Sequence, residues 1–114
     1  MNPGTIVKAY IPQSDGLYKP RPAVLIRKLP YYRDWLIVGI SSKVHRTVAD
    51  FDIVIDVSHP DFELSGLDRP SVIRCGWITF IPESRIEGGI GSLGPKTFDE
   101  LQRRLTELVS GSRR

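Results

Sequence analysis

Up to residue 93 the apolar residues fall into short runs separated by turn-forming residues, the pattern of strands rather than helices. Gly4–Ile11 (GTIVKAYI) alternates weakly and predicts a first strand. Pro12–Pro20, with Ser-Asp-Gly at its centre, predicts an exposed loop. Arg21–Lys28 (RPAVLIRK) predicts a second strand, with Pro22 tolerable only near its start. LPYYRD is a connection, and Trp35–Ser42 (WLIVGISS) a fully buried third strand ending in two hydroxyls. KVHRTVAD reads as a basic loop. Asp52–Val57 alternates acidic and apolar residues like a half-exposed strand, and SHPDFELSGLDRP is loop. Ser71–Ile81 predicts a strand bent or bulged at Gly76, and Ser84–Leu93 a short strand broken by glycines.

Only the last segment changes period. Gly94-Pro95 places proline at a first helical position, and Phe98, Leu101, Leu105 and Leu108 then follow at 3-4-3 spacing. Glu100/Arg104 and Arg103/Glu107 fall four apart on the polar side. Many short strands closed by one helix predict a mainly β fold, a small, strongly bent, SH3-like β-barrel. A doubly wound α/β fold is disfavoured because no helical segment separates the early strands. Residues 1–109 are expected to form one domain and 110–114 a frayed tail.

The chain has 114 residues and one cysteine, Cys75, so no intrachain disulfide or cysteine-rich zinc site is expected. His45 and His59 do not have metal-ligand spacing, and no cofactor is expected. No apolar span approaches membrane length (roughly 18 residues), so a reducing, cytoplasmic setting without membrane contact is expected. Net charge is only +3, but it is unevenly spread. Residues 1–46 hold eight Lys/Arg against Asp15 and Asp34, net +6, and residues 47–114 hold eight against eleven acidic residues, net −3. A polyanion is the natural partner of the first half; solvated basic loops are the alternative.

No strong enzyme signature is present: no G-x-S-x-G, H-E-x-x-H, P-loop or dinucleotide-binding glycine pattern. GGIGSLG follows no βαβ strand and is read as a turn. The informative residue is Arg21, held between Pro20 and Pro22. Proline restricts itself and its predecessor, so Arg21 is stiffly extended. If the second and third strands pair antiparallel through LPYYRD, Arg21 lies at the same sheet end as Ser41 and Ser42. A guanidinium fork beside hydroxyls suits a phosphate. The competing reading is that Arg21 pairs with a carboxylate and the serines merely end a strand.

The ordered set GTIV, RPAVLI, VGISS, SGLDRPSVIR and IGSLGPKTFDELQRRL resembles the MazF/PemK-like toxins of type II toxin–antitoxin systems, over Gly4 to about Leu108. The resemblance implies their bent barrel with a terminal helix, a homodimer, and a cognate acidic antitoxin. It implies metal-independent endoribonuclease cutting of single-stranded RNA. The RNA 2′-hydroxyl attacks the adjacent phosphate, leaving a 2′,3′-cyclic phosphate and a 5′-hydroxyl. It implies a catalytic role for Arg21 and Ser41, with Ser42 adjacent. Several family members carry a glutamate in the loop before the arginine; here that loop offers only Asp15, so the general base stays open among Asp15, Arg21 and His45.

For RNA, Lys19, Arg27, Lys28, Lys43, His45 and Arg46 are the candidate cationic contacts, and Tyr31 and Tyr32 the candidate stacking rings. Trp35 is read as core. Two other readings compete. One is a non-catalytic, gyrase-poisoning toxin of the CcdB-like branch, disfavoured by the polar ending LVSGSRR. The other is a plain SH3-like binding module.

Overall fold

The computed structural model describes residues 1–111; residues 112–114 of the expected tail lie outside the described residues. Six strands form one antiparallel sheet: β1 (Thr5–Pro12), β2 (Tyr18–Lys28), β3 (Asp34–Ser41), β4 (Ile53–Ile55), β5 (Ser71–Pro82) and β6 (Ile86–Ser92). The order across the sheet is β4-β5-β3-β2-β1-β6. It curls into a half-barrel, the expected bent β architecture with a terminal helix. Two short helical turns, Val44–Arg46 and Glu83–Arg85, sit in connections. A four-residue helix α1 (Phe62–Ser65) stands where a loop was expected, and α2 (Pro95–Ser110) closes the fold.

Side chains on alternate residues of the central strands enter opposite cores. One cluster joins Ile6, Val24, Ile26, Val38 and Ile40 to Ile73 and to Leu101 and Leu105 of α2. The other, on the opposite sheet face, joins Val7, Ala9, Ile11, Ala23, Leu25, Ile37 and the buried Trp35. Burying such an aliphatic side chain contributes about 1.5–3 kcal/mol; the centres of β2 and β3 accordingly read as continuous apolar runs, whereas β1 is interrupted by exposed Lys8 and Tyr10. Proline at the first turn of α2 and Gly111 (φ 71°) after Ser110 mark its ends. Ser110 is thus helical rather than part of a tail.

Two expectations are corrected here. The Pro12–Pro20 loop is shorter, because β1 runs to Pro12 and β2 starts at Tyr18. GGIGSLG is not a turn: its first glycines belong to edge strand β6. A Cβ on Gly91 would stand 2.3 Å from the Ser65 carbonyl carbon, and one on Gly66 1.9 Å from the Ile90 oxygen. These glycines let α1 cross against β6. Gly66 also has φ 72°, the left-handed cap of α1.

Candidate functional site

The two prolines around Arg21 have a specific effect on the sheet. The Leu25 carbonyl accepts from Gly4 N–H, so odd-numbered residues of β2 turn their backbone polar groups toward β1. Pro20 and Pro22 point the other way, toward β3, and have no N–H to offer. The β1–β2 ladder continues to Pro12↔Tyr18, whereas the β2–β3 ladder stops at Ala23↔Gly39. On the other flank of β3, pairing with β5 jumps from Val38↔Ile78 to Ile40↔Ile73, so Arg74–Trp77 bulge out around the expected position, Gly76. β3 thus lacks β2 beyond Gly39 on one flank, and on the other flank β5 pulls away at Gly39 before pairing again from Ile40.

A groove of about 920 Å³ occupies this gap. Arg21, Ser41 and Ser42 all line it, as their pairing geometry required. Continuing the β2–β3 register puts Arg21 opposite Ser41. Ser41 Oγ accepts from Lys43 N–H at 3.1 Å, leaving its own proton free to donate outward. Ser42 lies just past β3, so that strand ends one residue earlier than expected. Arg21 is exposed and forms no ion pair among the described residues. The carboxylate-pairing alternative therefore has no partner here.

Six cationic side chains line the groove: Lys8, Arg21, Lys43, Arg46, Arg69 and Arg74. Its two acids are both engaged. Asp68 lies 3.1 Å from Arg69 Nε, whose hydrogen bond holds that carboxyl below its usual range. Asp52, buried, accepts Cys75 N–H at 3.1 Å through Oδ1 and Val48 N–H at 3.0 Å through Oδ2. The Arg104 guanidinium donates to the Asp52 carbonyl at 2.7 Å. Asp52 thereby supplies an acceptor to the β5 bulge and ties it to the basic loop and to α2. The neighbouring Cys75 thiol is pushed up to about 11, first by burial and then by the Asp52 charge.

Other candidates are not brought together. Arg27, Lys28, Tyr31 and Tyr32 stand at the far end of the β2–β3 hairpin, roughly 20 Å of strand from Arg21. Lys28 pairs with Glu83 at 3.3 Å, and Tyr31 and Tyr32 are among the most exposed rings. The tyrosines therefore do not flank Arg21. Lys19, on β2 opposite Ile11, and His45, in the turn with Lys43 and Arg46, are exposed but outside the groove lining. Asp15 sits in the β1–β2 turn, where its carboxylate accepts Leu17 N–H.

Among the groove residues that the sequence did not single out are Lys8, Arg69, Arg74 and Trp77. Arg69 and Arg74 come from the half of the chain with net negative charge, so a tally by halves hides them. Trp77 sits in the strand-like apolar run Ser71–Ile81, which carries no signal for a groove. No group of three or more His, Cys, Asp or Glu among the described residues has a metal-binding arrangement. No helix among them is long and apolar enough to cross a membrane.

The chain is similar in structure to the Mycobacterium tuberculosis toxin MazF-mt6, with a TM-score of 0.70 and 22% identity over 93% of this chain and 96% of that one. It is also similar to an endoribonuclease in complex with its cognate antitoxin from mycobacterial species, with a TM-score of 0.67 and 11% identity over 96% and 93%. No curated protein sequence matches it significantly. At these identities the structures speak for the fold alone. The family model for the PemK-like, MazF-like toxins matches residues 2–109. With that match over nearly the whole chain, this protein belongs to the PemK-like, MazF-like toxins of type II toxin–antitoxin systems.

Proposed function

We propose that this toxin is an endoribonuclease that cuts single-stranded RNA in the groove between β2 and β3. The carrying observation is Arg21: a stiffly held, exposed guanidinium with no carboxylate partner, facing Ser41 in a groove rich in cations. A scissile phosphate sits between the Arg21 fork and the Ser41 hydroxyl. The adjacent ribose 2′-hydroxyl attacks phosphorus, its proton is taken up by a base, and the 5′-oxygen leaves with a proton. The products are a 2′,3′-cyclic phosphate and a 5′-hydroxyl. Charge growing on the non-bridging oxygens meets preorganised donors, a stabilisation often worth about a hundredfold or more in rate per donor. Because the nucleophile belongs to the substrate, the step asks for no activated water.

Cutting messenger RNA in this way arrests translation and growth, a cytoplasmic activity that needs an inhibitor. One of the similar structures is of an endoribonuclease with its cognate antitoxin. For this chain we infer an acidic antitoxin segment that lays carboxylates along the same cations. A homodimer would set two such grooves side by side.

The test is incubation of the purified protein with a long unstructured RNA in EDTA, followed by sequencing and chemical analysis of the ends. Discrete cuts bearing cyclic phosphate and 5′-hydroxyl ends are expected. Intact RNA, or cutting that magnesium alone restores, overturns the reading.

A further inference from the structure

From the bulge of β5 we infer that Trp77 is the platform for one unpaired RNA base beside the Arg21–Ser41 phosphate position; this rests on the endoribonuclease reading and adds a base subsite to it.

The ring's position follows from two departures from regular sheet. Residues 74–77 leave the β3 ladder, which frees Trp77 from strand pairing. Gly39 then receives the ring. A Cβ on Gly39 would stand 2.1 Å from Trp77 Cε3, 2.3 Å from Cδ2 and 2.7 Å from Cζ3. The six-membered ring therefore rests against the backbone of β3, where any other residue would exclude it. Below, it packs against the second core cluster with Trp35 and Ile37. This seat fixes the ring, so little entropy remains to be lost when a ligand stacks on it.

Trp77 is half-buried and lines the cavity that Arg21 and Ser41 also line. By the β3–β5 register it lies opposite Gly39, two residues along β3 from Ser41. A large, rigid π surface within a cationic groove suits a flat heterocycle whose phosphate is held by the cations alongside. Phe51, whose ring approaches Gly76 within 3.4 Å of a Cβ built there, lines the same groove. Because stacking reads a π-face and not an edge, the subsite selects for an unpaired base more strongly than for a particular one.

The experiment uses short single-stranded oligoribonucleotides spanning a mapped cut site, with a 2′-deoxy residue there to block cutting. In a second set one base at a time is removed to leave an abasic sugar. Binding is followed by tryptophan fluorescence and by salt titration. Wild-type fluorescence should be quenched on saturation, and one abasic position should weaken binding roughly tenfold, the scale of a lost stacking contact. Trp77→Ala should weaken the intact oligonucleotide by a similar factor and be indifferent to that abasic position. Its salt dependence should match wild type, because no phosphate contact is lost. Trp77→Phe should keep most of the coupling, which separates stacking from a change in folding. The inference is overturned if RNA is bound and cut but the Trp77→Ala and abasic effects multiply at every position, or if Trp77→Ala binds as wild type. If the wild-type protein neither binds nor cuts RNA, the endoribonuclease reading falls first and the base subsite falls with it.

Discussion

Removing the Asp52 carboxylate should unlock the groove and cost a calculable share of stability. In Asp52→Ala the Cys75 N–H loses its acceptor inside a residue with no solvent exposure. Orphaning a buried donor costs about 1–3 kcal/mol. The Val48 N–H also loses a partner, but Val48 is exposed and water replaces it, so the second loss is about 0.5–1 kcal/mol. The sum is about 1.5–4 kcal/mol. Unfolding entropy near 2.1 cal/mol/K per residue gives roughly 0.24 kcal/mol/K for 114 residues. The melting temperature should therefore fall by about 6–17 °C. Asp52→Asn keeps one carbonyl acceptor and should fall by about half as much. Circular dichroism melts give the total, and amide hydrogen exchange at Cys75 and Val48 assigns it to these two bonds. A melting temperature for Asp52→Ala within about 3 °C of wild type would refute the clamp, as would unchanged exchange at Cys75.

Arg21→Ala should leave the melting temperature unchanged, because the side chain is exposed, and should lower RNA cleavage by about a hundredfold or more. Arg21→Lys should recover little, since an ammonium cannot fork two oxygens; wild-type cutting by Arg21→Ala would make Arg21 structural. Gly39→Ala drives a methyl into the Trp77 ring and should destabilise by about 1–3 kcal/mol with a red shift in tryptophan emission; an unshifted spectrum counts against the seat. The Arg103 hydrogen bond, then that of Arg104, holds the Glu100 carboxyl at about 2 instead of its ordinary 4.5. The resulting stability is fully present above about pH 4.5 and lost as pH falls through about 2. The group is partly exposed and screened, so replacing Glu100 with Gln should flatten the acid limb by only about 0.5 kcal/mol. Cys75, buried and pushed up to about 11, should resist iodoacetamide at pH 8 until the protein unfolds; rapid labelling of the folded form would contradict that burial.

Local rules carried the sequence reading wherever a single element decided the outcome. Proline after Gly94 and the 3-4-3 stripe from Phe98 to Leu108 define α2, and Leu101 and Leu105 are its buried positions. Antiparallel pairing through LPYYRD was enough to bring Arg21 to Ser41. That pairing also carries Tyr31 and Tyr32 away, because a hairpin's tip lies at the opposite end from its open mouth. Nearness in sequence misled there. Trp77, Arg69 and Arg74 reach the groove only because β5 returns beside β3 after a long excursion, and no local pattern encodes that. Asp52 belonged to an alternation of acid and apolar residues that reads as a half-exposed strand. Its role depends on a bulge in β5 that leaves an amide without a ladder partner. Proline's missing N–H was visible from the start, but its effect on the β2–β3 ladder requires knowing which side of β2 faces β3.

The crossing of α1 over β6 bears on how this molecule behaves in a crowd. A curled sheet that stops short of closing has two free margins, and free margins recruit foreign strands. Here one margin, β4, is three residues long, and the other is obstructed where Gly66 and Gly91 let a helical turn lie against it. Strand addition is disfavoured at both margins, by the shortness of one and the partial cover of the other. A bulkier residue at Gly66 would lift that obstruction, turning a defect in packing into a route to fibrils.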